Sequence, residues 1–151
     1  MDDSLFLFGG QSADGSYLCD LWKVSPNNQW SPITAAGTNT VNATGVYPST
    51  VGSGGASYRP GCRSGASTWM DKTTGYLYLF GGYGFAASSA AGSGYLNDLW
   101  FFDPSVEQWT WLYGSNTINT NATYNAVRAT SASNDPGARS FSAAAIDPVN
   151  R

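Results

Sequence analysis

With 151 residues, 42% of them hydrophobic and 15% aromatic, the chain has ample material for a buried core and does not read as a disordered polymer. Only 11% of residues are charged, the net charge is −3 and there is no histidine. That balance excludes a basic nucleic-acid footprint, catalytic triads and dyads built on imidazole, and most zinc or copper sites.

No apolar run reaches the length of a membrane-spanning helix, and "MDDS" carries no basic, apolar signal-peptide pattern. Eighteen glycines and seven prolines interrupt the chain too often for long amphipathic helices.

Taken in chain order, short apolar runs bounded by glycine, proline and polar clusters predict strands. The first is Leu5–Gly9 in "SLFLFGG", followed by Leu18–Val24 in "LCDLWKV" and Gln29–Ile33 in "QWSPI". A long polar stretch then leads to a strand of small residues, Ser64–Met70, opened by "RPGCRS". Tyr76–Gly81 ("YLYLFG"), Leu96–Phe102 ("LNDLWFF") and Gln108–Tyr113 ("QWTWLY") repeat the first three. The last, Ser140–Ile146, is again built of small residues and again follows a "PGxRS" block.

Four blocks thus recur in the same order about 75 residues apart, the signature of a repeat architecture rather than one indivisible core. In each set of four strands, one is stripped of bulk and three carry Leu, Phe, Tyr and Trp. Four-stranded sheets arranged radially about an axis impose that gradient, because they converge at the centre and diverge at the rim. A duplicated β-sandwich gives no reason for it. The expected fold is therefore all-β, with propeller blades of four antiparallel strands.

The set "PGxRS", "LYLFGG", "NDLWxFD" and a downstream Trp resembles the kelch repeat, in both halves of the chain. The unit length of about 75 exceeds the roughly 50 usual for kelch, and the surplus falls at residues 11–18, 83–96, 32–58 and 114–134. On this resemblance residues 4–33 supply strands two to four of one blade and 34–62 an inter-blade loop. Residues 63–113 form a second blade, 114–138 a second loop, and 139–151 the first strand of a further blade. This circular offset leads to the expectation of a homotrimer closing a six-bladed ring, with the last strand of one chain pairing with Leu5–Phe8 of the next; the alternatives are a tetramer with eight blades, or a piece of a longer chain cut at a repeat boundary.

The expected function is a non-catalytic scaffold that binds protein or glycan partners, with no cofactor, no nucleic acid and no membrane insertion. The alternatives are a purely structural self-assembling module and a degenerate propeller oxidase or hydrolase. Oxidases built on such blades imply histidine ligands, which this sequence lacks.

Alternating strands place the long loops on one face, where aromatic and arginine side chains stand among Ser, Thr, Asn and Gly. The expected partner-binding residues are Tyr17, Tyr58, Arg59, Arg63, Tyr83, Phe85, Tyr95, Tyr124, Arg128 and Arg139, with Tyr47 in the same loops. The resemblance implies guanidinium groups near Arg63 and Arg139 as acid-binding residues, while a hydrogen bond or ion pair between strands, for instance with Asp20 or Asp98, is the simpler reading. Cys19 and Cys62 form either a disulfide or two buried thiols. Asn42 and Asn121 open "NAT" sequons, which favour a secreted or surface-exposed parent protein.

Overall fold

The computed structural model describes residues 5–33, 40–127, 129–145 and 147. They form nine strands, all antiparallel, in two sheets. The first sheet holds β1 (Leu5–Gln11), β2 (Tyr17–Val24) and β3 (Trp30–Pro32), in that order. A tight turn joins β1 to β2, with the Ser16 N–H and the Ser12 hydroxyl both donating to the Asp14 carboxylate.

The second sheet contains β4 (Gly54–Gly55), β5 (Arg63–Ser64), β6 (Ser67–Met70), β7 (Leu77–Gly84), β8 (Gly94–Asp103) and β9 (Gln108–Tyr113). Its order is β4-β9-β8-β7-β5, with β6 also pairing β7. Strands β5 and β6 are two halves of one line, interrupted at Gly65, where φ is +64°. The helical content among the described residues is a single 3-10 turn, Ser89–Ala91.

The two sheets repeat one another down to backbone detail. Strands β1 and β7 both slip register at their double glycine, between Phe8 and Gly10 and between Phe80 and Gly82. Gly9 and Gly81 have φ of +58° and +65°, a left-handed conformation that a side chain resists. Space forbids one as well: a Cβ on either would lie 2.7 Å from a carbonyl oxygen, that of Arg63 for Gly9 and that of Arg139 for Gly81. The arginine of each "RS" block therefore rests on the glycine bulge of the preceding unit, and Gly82 N–H donates to the Arg139 carbonyl at 2.8 Å.

The core lies between the sheets. Leu77, Leu79, Trp100, Phe102, Trp109 and Trp111 of the second sheet cluster with Leu21 of the first, and Phe6, Phe8 and Ile33 pack onto them. Phe8 meets Trp109 edge to face at 5.4 Å. Strict alternation along β7, with Leu77 and Leu79 buried and Tyr78 and Phe80 half-buried, is what a strand with two unlike faces requires.

Three features depart from the expected strand and loop assignment. Within this single chain residues 140–145 form no strand, their expected partner being Leu5–Phe8 of another copy, and Ile146 lies outside the described residues. Arg139 and Phe141 hydrogen-bond to the second sheet through Leu96 and Gly65, but no described strand pairs along this segment, so no ladder forms. Stretch 34–62 is not loop throughout, because Gly54 and Gly55 add a fifth line to the sheet by pairing with Thr110 and Trp109. Tyr47, expected among the exposed loop aromatics, is drawn into the core between Trp100 and Trp111, with ring centroids 5.0 and 5.1 Å away.

Candidate functional site

Two constellations involve the residues singled out by sequence. One is buried. Arg63 reaches across the glycine bulge of β7, where no side chain blocks it, and binds Asp98 in a fork: Nη1 to Oδ1 at 2.6 Å and Nη2 to Oδ2 at 2.8 Å. Two further donors, on Nε and Nη1, go to the Gly61 and Gly81 carbonyls. Tyr47 Oη and Trp100 Nε1 donate to Asp98 Oδ2 at 2.6 and 2.7 Å.

Burial alone would lower the Arg63 pKa, but the adjacent Asp98 carboxylate more than offsets it, and the guanidinium is held above its ordinary value. Burial first, and then the same carboxylate, push the Tyr47 phenol well above its ordinary 10.0. Arg63 and Asp98 are both fully buried. Arg63 is thus withdrawn from the loop face, and its donors are spent on the fold rather than offered to a ligand.

The other constellation is half-exposed. The loops expected on one face do meet: Gly45 N–H donates to Ala86 O, Phe85 N–H to Cys62 O, and Ala87 N–H to Asn116 O. Along this face Tyr17, Tyr83 and Tyr95 form a row of rings, with centroids 5.8 Å apart for the first pair and 5.0 Å for the second, and Phe85 lies 6.2 Å from Tyr17. Tyr95 is exposed and the other three are partly covered. Their backbones are held by neighbouring loops. Tyr17 N–H donates to Asn42 Oδ1 and Tyr95 N–H to Asn119 Oδ1, and both asparagines sit at positive φ. Asn119, not Asn121, is therefore the structural counterpart of Asn42.

Other sequence-selected residues do not join the row. Tyr58 packs against the core, and the Arg59 backbone pairs with Val46. Tyr124 is exposed beside a shallow depression of about 520 Å³ in loop 123–136. Arg139 turns back on its own loop, bonding the Gly137 and Pro136 carbonyls, and Arg128 lies outside the described residues. A disulfide joins Cys19 to Cys62, linking the first sheet to the segment that enters the second.

Sequence reasoning missed Tyr47 as a partner of Asp98. Its offset from Asp98 carries no local pattern, and only the folded loop brings the two together.

Among the described residues no group of three His, Cys, Asp or Glu side chains could hold a metal ion, and no helix is long and apolar enough to cross a membrane. No family model matches the chain, and no curated protein matches it.

Proposed function

We propose that the chain is a pair of kelch-type propeller blades acting as a non-catalytic binding scaffold, its loop face presenting an aromatic platform to a glycan or protein partner. The observation that carries this reading is the Tyr17–Tyr83–Tyr95 row with Phe85 beside it. Aromatic rings fixed by backbone hydrogen bonds in loops rich in Ser, Asn and Thr are a rigid, amphipathic contact surface that costs little side-chain entropy on binding. The blade reading is supported by the repeated bulge, by the register of β7 with β8 that echoes β1 with β2, and by the approach of each arginine block to the preceding bulge.

The test is binding to glycan and peptide arrays. The intact chain should bind a discrete set of probes, and Tyr83→Ala and Tyr95→Ala should each weaken binding about tenfold or more, since aromatic anchors typically carry more than 1 kcal/mol. Retained binding in both variants places the partner on another surface. Absence of any binding by the folded chain favours the purely structural module.

A further inference from the structure

We infer that the two open faces of this chain are halves of one junction, and that a second copy of the chain docks head-to-tail, its Asp20 taking the Arg139 guanidinium as Asp98 takes Arg63. This inference rests on the internal repeat and does not depend on the ligand-binding reading above.

The chain already contains one such junction, between its own two sheets, and that junction serves as a template. The face of the second sheet that meets the first buries Leu77, Leu79 and Trp109, which are 5%, 0% and 3% exposed. Their counterparts on the first sheet are Leu5, Leu7 and Trp30, at 61%, 49% and 53%. Same sequence block, same strand position, opposite fate. What differs is only whether a neighbouring sheet covers them.

The converse holds on the other side. All four residues at these positions are half-buried, but Phe6 and Phe8 of the first sheet pack against the core cluster, whereas their counterparts Tyr78 and Phe80 lie on a flank outside it, where Trp69 and Tyr78 stack at 5.4 Å. A second copy offers Leu5, Leu7 and Trp30 to that flank, and Trp30 would meet Phe80 as Trp109 meets Phe8.

The polar groups match as well as the apolar ones. Asp98 has four donors on its carboxylate, two from Arg63 and one each from Tyr47 and Trp100. Asp20 receives the equivalent tryptophan donor, Trp22 Nε1, at 2.6 Å, and no arginine among the described residues bonds it. Arg139 stands where Arg63 stands in the other unit, yet it is exposed and bonds only carbonyls of its own loop among the described residues. Among the described residues, one chain thus carries a carboxylate that no arginine bonds at one end of the repeat and a guanidinium that no carboxylate bonds at the other.

Backbone geometry is prepared too. Arg139 is already anchored on the second sheet, and among the described residues β1 is an edge strand with no inner partner. Transferring the β6–β7 register sets Ala143 opposite Phe8, Ala144 opposite Leu7 and Ala145 opposite Phe6 of the second copy. Because the junction is heterologous, identical copies either close into a ring or run on as a fibre.

The experiment is a mass measurement by sedimentation or mass photometry, with circular dichroism to verify the fold. The 16.0 kDa chain should appear as a discrete multimer at micromolar concentration, a three-copy ring weighing about 48 kDa. Arg139→Asp alters an exposed side chain and should raise the dissociation constant about tenfold or more, as should Asp20→Arg. The double variant Asp20→Arg with Arg139→Asp restores opposite charges across the junction and should recover most of the assembly. Trp30→Ala should weaken assembly without touching the charge pair. A folded wild-type chain that remains at 16.0 kDa at about 100 μM overturns the inference. So do single reversals that leave the mass unchanged, or a double variant no better than the singles.

Discussion

Asp98 shows how one residue can be decisive without touching a ligand. Its carboxylate is fully buried and satisfied by Arg63, Tyr47 and Trp100, so its energetic worth lies less in the ion pair itself than in the damage of breaking it. Asp98→Asn leaves the Arg63 guanidinium buried beside a neutral amide, and chemical denaturation should show a loss of about 3–5 kcal/mol. Tyr47 carries a pH signature of the same network. Its folded pKa is raised above 10.0, so the stability it contributes is fully present below pH 10.0 and is lost as pH rises through the raised value. Ultraviolet absorbance during an alkaline titration should therefore show one tyrosine ionising only as the chain unfolds, and Tyr47→Phe should remove that late step. Because the Tyr47→Phe variant also loses a hydrogen bond to Asp98, it should be less stable than wild type near neutral pH by about 1–3 kcal/mol.

Among the elements, the glycine bulges of β1 and β7 matter most. A bulge there turns the strand and leaves a flat backbone surface on which the next unit's arginine carbonyl can rest. Gly81→Ala violates both the left-handed φ of +65° and the 2.7 Å approach of Arg139 O. The left-handed conformation alone costs a side chain about 1–2 kcal/mol, and thermal unfolding should register at least that. Phe141 tests the same physics in reverse. It occupies the position of Gly65 and holds φ at +55° with its ring exposed, so Phe141→Gly should be stabilising or neutral, unlike most aromatic truncations. The Cys19–Cys62 disulfide acts between elements, closing a separation of 43 residues. Cys19→Ser together with Cys62→Ser should cost about 2–4 kcal/mol, the usual range for a loop of that size.

At the scale of the whole molecule, the two sheets bury one pair of faces against each other and leave a matching pair open. An open flank carrying Trp69, Tyr78 and Phe80, and an edge strand carrying Leu5 and Leu7, are surfaces that a folded protein rarely leaves uncovered. Hydrogen exchange should accordingly be fastest in β1 and β3 of the dilute chain and slowest in β7 and β8, which have partners on both sides. If exchange in β1 slows with protein concentration, the open face is being covered by another copy; concentration-independent exchange would argue against it.

The sequence by itself determined the strand blocks, their order and their twofold recurrence. Alternation of large and small side chains, and glycine pairs that only a bulge accommodates, are local properties written in neighbouring residues. It also supplied the aromatic loop residues Tyr17, Tyr83, Phe85 and Tyr95, because half-exposed rings among small polar residues leave a compositional trace. Tertiary structure alone decided that Arg63 would be sealed against Asp98 rather than offered on the loop face. The choice depends on a carboxylate 35 residues further along the chain, and on a tyrosine that only loop folding carries to it. The repeat offset already left the last block without a partner inside the chain, and in the structure residues 140–145 stay out of a ladder. A strand's hydrogen bonds belong to the pair, and a segment with every local mark of a strand remains unpaired until a partner edge is brought beside it.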